Sequence, residues 1–277
     1  MKFSKMHGAG NDFIIINLLD NNILNLNTLA EKMCDRHFGV GADGLMAVKK
    51  SESCDVQMLY FNSDGSRAAL CGNGIRCFSK YVYEKNIAQK NPLTVETLAG
   101  NKTIQFDIKE GLVDNIIVNM GSWSFDPGSI PAVCSKEKLL LEKVEIDGKL
   151  VEISSLLMGV PHTVIFVEDI EKADIETLGP KIENLAMFPQ KTNVNFVQII
   201  DQEHILVDTW ERGAGKTLAC GTGACASVIV SHLLGYIGDS VQVKVPGGVL
   251  RIQIIEGEQI IMEGKAEFIC DGEFYNS

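Results

Sequence analysis

One short phrase occurs twice in this sequence. Leu70-Cys71-Gly72-Asn73-Gly74 and Ala219-Cys220-Gly221-Thr222-Gly223 each open a glycine-punctuated turn on a cysteine. A further cysteine follows each, Cys77 and Cys225. The leading cysteines are 220 − 71 = 149 residues apart, a little over half of the 277-residue chain. Ile104-Gln105-Phe106 is echoed by Ile252-Gln253-Ile254 at 252 − 104 = 148, and Tyr60-Phe61-Asn62 falls opposite Thr209-Trp210-Glu211 at 209 − 60 = 149. Self-similarity at a nearly fixed offset is the mark of an internal duplication. The chain is therefore expected to be two related halves, each carrying one cysteine-led helix.

The elements read from local pattern repeat in the same order. Before Cys71 stand strands at Phe13 to Leu18, Leu45 to Val48 and Val56 to Phe61, with a short helix capped by Asn27. A helix from Gly72 to Lys85 follows, then strands at Leu93 to Thr97, Thr103 to Ile108 and Leu112 to Val118. The second half shows strands at Thr163 to Val167, Asn195 to Ile200 and Ile205 to Trp210, with a helix near Ile175 to Asn184. A helix over Gly221 to Leu234 and strands at Val241 to Val245 and Leu250 to Ile255 complete it. The expected fold class is α/β in the α+β sense: two pseudosymmetric halves, each a strand-rich sheet or barrel around a central helix, with the active site in the cleft between them. Turn residues cluster near Gly121 to Pro131, so the halves are expected at 1–120 and 121–261, with a tail, 262–277, returning to the first.

Composition narrows the partners. A net charge of −11 without a Lys/Arg-rich block argues against nucleic acid and anionic membranes. Apolar runs such as Phe13 to Ile16 are too short to span a bilayer, and the first residues lack a signal-peptide pattern. A cytoplasmic protein is expected, in which the eight cysteines are reduced thiols. None stands in Cys-x-x-Cys spacing and no Cys/His group has zinc spacing, so no metal is expected. Gly213-Ala214-Gly215-Lys216-Thr217 lacks the Walker spacing of a phosphate loop.

A cysteine where a glycine turn hands over to a helix meets unpaired backbone N–H groups and the positive end of the helix dipole. Such a site favours the thiolate and can also hold a carboxylate. Two of them suit removal of a proton from one face of a carbon and its return to the other, with no cofactor. A lone cysteine is more often a small core hydrophobe, and Cys34, Cys54, Cys77, Cys134, Cys225 and Cys270 are read that way. The symmetric pair Cys71 and Cys220 is not. A thiol redox pair or a small-anion binding module is the reading from another class. His162, beside Pro161, is placed in a turn before a strand.

Lys5-Met6-His7-Gly8-Ala9-Gly10-Asn11-Asp12-Phe13, Asn62-Ser63-Asp64-Gly65-Ser66, Cys71 to Cys77, and Glu211-Arg212-Gly213-Ala214-Gly215 through Cys225 resemble the diaminopimelate epimerase family. The resemblance runs in order from Lys2 to Phe274. It implies an isomerase without pyridoxal phosphate or other cofactor that converts LL-diaminopimelate to the meso form in lysine and peptidoglycan precursor biosynthesis, and commonly a homodimer. By matching motif, Cys220 would accept the proton and Cys71 donate it. Gly72, Asn73, Gly221 and Thr222 would contact the reacting carboxylate, and Asn11, Asn62 and Asn193 the substrate's polar ends. Arg212 would clamp the distal carboxylate, Glu211 would face an ammonium group, and Glu211 with His162 would tune the thiols. The family often has glutamine at the place of Gly44, Gly-Asn-Pro-His at the place of Gly159-Val160-Pro161-His162, and glutamate at Lys216. A lanthionine-like diamino diacid is the alternative substrate within the enzyme class.

Overall fold

The computed structural model describes residues 1–19, 23–255 and 259–275. The chain forms two compact units, Met1–Asn119 with Glu263–Ser277, and Met120–Met262. Of the tail expected at 262–277, Asn276 and Ser277 lie outside the described residues.

The first unit begins with β1 (Lys2–Gly8) and β2 (Asn11–Asn17), joined through Ala9 and Gly10, both at positive φ. Two consecutive positive φ values give a turn whose twist matches that of the flanking strands, and glycine takes the second position without strain. Then come α1 (Leu26–Cys34), β3 (Gly44–Lys49), β4 (Val56–Asn62), the short β5 (Arg67–Ala68), α2 (Gly72–Glu84), β6 (Leu93–Thr97), β7 (Gly100–Lys109) and β8 (Leu112–Gly121). β2 pairs parallel with β3, β3 antiparallel with β4, and β4 parallel with β6.

Residues 12–16 of β2 are all buried. A strand that is apolar on both sides needs cover on both faces. Ile14 and Ile16 pack with Leu29, Ala30 and Met33 of α1. Phe13 and Met46 face the first turn of α2, where a Cβ added to Gly74 would meet both. The helix α2 is thus held over one face of the sheet and α1 over the other.

The second unit repeats this plan. It runs β9 (Leu139–Ile146), β10 (Lys149–Met158), β11 (Val160–Phe166), α3 (Ile175–Glu183), β12 (Asn193–Ile199), β13 (His204–Glu211), β14 (Gly215–Thr217), α4 (Gly221–Leu233), β15 (Ser240–Val245), β16 (Gly248–Ile255) and the start of β17 (Gln259–Gly264), whose last two residues belong to the first unit. β11–β12 is parallel, β12–β13 antiparallel and β13–β15 parallel. The registers coincide at one offset: Phe13↔Gly44 and Met46↔Tyr60 become His162↔Asn193 and Asn195↔Thr209. α4 is apolar nearly all round, and Gly221 and Gly223 to Ser231 are buried, as a helix enclosed by strands must be. Last comes β18 (Glu267–Glu273), antiparallel to β1 in the first unit.

The observed order confirms the expected fold class, with local corrections. β9 and β10 are absent from the sequence reading, as are β17 and β18. The cap of α1 is Asn25, not Asn27. His162 lies inside β11 and not in a turn before it. Cys34, Cys77 and Cys225 are core residues as expected, whereas Cys54 and Cys134 are half-buried and Cys270 is exposed. Cys270 fails the packing expectation because the β18 burial pattern leaves its neighbours exposed as well. No described helix is long and apolar enough to cross a membrane.

Candidate active site

Cys71 and Cys220 are the N-cap residues of α2 and α4. Both have extended backbone, and each sulfur accepts from the backbone N–H three residues on: Gly74 N to Cys71 Sγ at 3.5 Å, Gly223 N to Cys220 Sγ at 3.4 Å. The cap role usually falls to a hydroxyl or carboxylate oxygen. Here a thiol takes it, in contact with the N–H groups of the first turn. Gly72 and Asn73 begin α2, and Gly221 and Thr222 begin α4, so their N–H groups belong to those first turns. Thr222 Oγ1 lies 3.5 Å from Cys220 Sγ.

Burial pushes Cys34 and Cys77 up to about 12. Such thiols stay protonated and inert.

What lies beneath each first turn differs between the units. Under Gly74 are Phe13 and Met46, with Tyr60 edge-on to Phe13 at 6.0 Å between ring centroids. The equivalents at 149 residues further on are His162, Asn195 and Thr209, all buried. Asn195 Nδ2 donates to Thr163 O at 3.2 Å, which fixes the amide orientation. The same nitrogen meets His162 Nδ1 at 3.3 Å, so Nδ1 accepts and the ring proton sits on Nε2. Asn195 Oδ1 accepts from Thr209 Oγ1 at 3.1 Å. Burial first, and the Arg212 charge second, push His162 down to about 3. The ring is therefore neutral at physiological pH, and its buried Nε2 has no hydrogen-bond partner among the described residues.

Of the remaining predicted residues, Asn11 touches a cap and the others are placed by contacts within their own units. Asn11 Oδ1 accepts from Cys71 Sγ at 3.5 Å. Asn62 ends β4 and donates from Nδ2 to Ser66 Oγ at 2.9 Å. Asn193 opens β12, donates to Pro161 O at 3.0 Å and accepts from Arg212 N at 2.9 Å. Arg212 is exposed, and its Nη1 donates to Gln190 O at 2.8 Å. Glu211 ends β13 and accepts from Thr217 Oγ1 at 2.6 Å. At Gly44 a Cβ would lie 2.7 Å from both Tyr60 Cε2 and Phe61 O, so the Tyr60 ring fills that space.

Three residues escaped the sequence reading. Asn195 and Thr209 could have been found by laying the halves over each other at the cysteine offset. Arg76 of α2 is wholly buried, donating to Gly72 O at 3.1 Å, to Asn73 Oδ1 at 2.9 Å and to Lys265 O at 3.3 Å. It stands within the quoted Cys71 to Cys77 motif but had no role assigned.

Known structures share this architecture. A probable proline racemase from Agrobacterium radiobacter K84 superposes with a TM-score of 0.75 at 13% identity, covering 100% of this chain and 93% of its own. A PhzF-family phenazine biosynthesis protein from Bacillus anthracis does so at 0.70 and 17%, over 99% of both chains. The fold is that of the proline racemase and PhzF structures, built as two pseudosymmetric halves. Sequence goes further. Residues 3–125 and 154–269 match the diaminopimelate epimerase family. The diaminopimelate epimerase of Clostridium perfringens is 54% identical, and that of Methanococcus maripaludis strain S2 42%, each over 99% of both chains. The chain belongs to the diaminopimelate epimerase family and is an isomerase.

Proposed function

We propose that this enzyme converts LL-diaminopimelate to the meso form, with Cys220 as proton acceptor and Cys71 as donor. Inversion needs an acceptor and a donor for opposite faces of one Cα. Loss of the Cα proton to the Cys220 thiolate leaves an electron pair that delocalises into the adjacent carboxylate. The first-turn amides, of Gly72 and Asn73 on α2 and of Gly221 and Thr222 on α4, are suited to stabilise that charge. The Cys71 S–H then delivers its proton, and one C–H bond has been exchanged for another. The observation that carries the reading is the pair of sulfurs at helix N-caps, each in contact with an N–H of the first turn.

Neutral His162 and Glu211 serve the Cys220 side as pKa-tuning groups. Arg212 recognises a carboxylate through its planar fork, a geometry lysine lacks. Asn11, Asn62, Asn193 and Glu211 take the polar ends of the substrate. The reading includes a homodimer in the cytoplasm, which family membership supports; light scattering at working concentration tests the assembly.

The direct test is incubation of reduced protein with LL-diaminopimelate in D₂O, followed by proton NMR and chiral chromatography. Loss of the α-proton signal with formation of the meso isomer, absent in Cys71→Ser and Cys220→Ser, is the expected result. Unchanged turnover in either variant would remove that cysteine from the mechanism. Exchange with lanthionine in preference to diaminopimelate would reassign the substrate.

A further inference from the structure

Next to Cys71 stands a network of charged side chains that the reaction scheme leaves unused. Asp43, in the loop before β3, receives Asn11 Nδ2 at 2.6 Å and Asp12 N at 3.1 Å on one carboxylate oxygen. Its other oxygen receives Arg36 Nη2 at 2.8 Å. Asp43 N donates in turn to Asp12 O at 2.9 Å and Asp12 Oδ1 at 3.1 Å. Asp12 is itself paired with Lys5 at 3.0 Å and Arg36 at 2.8 Å, which holds its carboxyl below the usual range against the opposing effect of burial. Apart from Asn11, Asp43 is thus held by Asp12 through both backbone N–H groups and by Arg36.

That anchoring decides which way Asn11 points. A carboxylate offers acceptors alone, so the amide must turn its NH₂ toward Asp43. A flipped amide would set two acceptor oxygens 2.6 Å apart. With Nδ2 committed, Oδ1 faces Cys71 Sγ, and an acceptor 3.5 Å from sulfur is satisfied by S–H and repelled by a thiolate. At the equivalent place in the second unit, 149 residues on, stands Val160, which has no polar side-chain atom. Cys220 instead meets the Thr222 hydroxyl, a rotor that can donate or accept.

Resting on the assignment of Cys71 as the proton donor, we propose that Asp43 is a positioning residue: by fixing the Asn11 amide with Oδ1 on the sulfur, it keeps the proton on Cys71. The second N–H of Asn11 remains to be used by substrate. Charged groups on the Cys71 side of its own unit include Asp12, Asp43, Lys5 and Arg36, linked through Asn11, and wholly buried Arg76 of α2. Arg76 favours the thiolate, so the Asp43–Asn11 device opposes the field of the helix end and of this cation.

The test reads the thiol and not turnover. Alkylation of Cys71 by iodoacetamide is followed against pH by peptide mass spectrometry in wild type, Asp43→Asn, Asn11→Ala and the double variant. Release of the Asn11 amide lets it turn an N–H to sulfur. Asp43→Asn is then expected to move the alkylation midpoint about one pH unit lower, roughly a tenfold faster reaction at fixed neutral pH. In the Asn11→Ala background the same change is expected to have an effect within about twofold, because the relay is already cut. An equal shift in both backgrounds would show that Asp43 acts by its charge alone and would overturn the proposal, as would no shift in either. If Asp43→Asn does not fold, Arg36→Gln loosens the same anchor from the surface and should shift the curve in the same direction by less. Activity lost with the curve unmoved would reduce Asp43 to a structural residue. Turnover surviving in Cys71→Ser would fail the catalytic reading while leaving the alkylation result standing.

Discussion

Met46 and Asn195 occupy the same place in the two halves, 195 − 46 = 149 residues apart, each directly beneath the third residue of a cysteine-capped helix. One offers a thioether methyl to the turn and the other an amide oxygen. A duplication that kept the backbone has thus given one thiol an apolar floor and the other a polar one. The first suits a neutral thiol, and the second carries a neutral imidazole and a hydroxyl, each hydrogen-bonded to Asn195.

This difference can be read by adding one methyl group. A Cβ at Gly74 would lie 2.0 Å from Met46 Cε, the far end of a flexible side chain. At Gly223 it would lie 2.3 Å from Asn195 Oδ1, on a side chain held by three partners. Gly74→Ala is expected to cost under about 1 kcal/mol and Gly223→Ala about 1–3 kcal/mol, as overpacking does against a neighbour that cannot move. Urea denaturation of both variants measures this, and equal losses would contradict it.

Asn195→Ala should be costly in its own right. It leaves the Thr209 hydroxyl, the Thr163 carbonyl and His162 Nδ1 without their present partner in the core. A buried polar group left unsatisfied costs about 1–3 kcal/mol. Chemical denaturation gives the loss. The His162 ring signals in a nitrogen-detected NMR spectrum should show the two tautomers mixing, where wild type shows Nε2–H alone.

His162 also predicts a pH dependence. Its folded value of about 3 lies below the ordinary 6.5, so the unfolded chain binds the extra proton between those values. Its contribution to stability is complete above about 6.5 and is lost as pH falls toward about 3, by up to about 1.4 kcal/mol per pH unit inside that window. Melting temperatures of wild type and His162→Gln, compared from pH 7 to pH 4, should therefore converge on acidification. Parallel curves would show that the ring is not buried neutral.

Arg76 ties the first turn of α2 to the returning chain. Arg76→Ala takes buried donors away from the Lys265 carbonyl and the Asn73 amide and leaves a cavity, and a loss of about 2–4 kcal/mol is expected. Arg76→Lys keeps the charge but not the spread of donors, and should recover part of it. Limited trypsin digestion at Lys265 should accelerate in both variants, most in alanine.

Much of this fold was legible in the chain. Local pattern marks β2, β4, α2, β12, β13 and α4 to within a few residues, because each is a dense apolar run or a helix opened by a capping residue. β9 and β10 were legible too: Asp147-Gly148, both at positive φ, is a hairpin turn between alternating segments. β18 was not legible, since its exposed, mixed pattern becomes a strand only through pairing with β1.

The sequence by itself determined the duplication, the two cysteines that open helices, the strands that surround those helices and the family. These are written in periodicity and spacing, which local sterics and capping translate directly into structure. The tertiary structure alone decided what each thiol touches. Phe13 and Met46, His162 and Asn195, and Asp43 through Asn11 reach the caps because parallel strand registers bring distant residues under one turn. Hydrogen-bond direction there follows from which donors and acceptors meet, and no spacing along the chain encodes that.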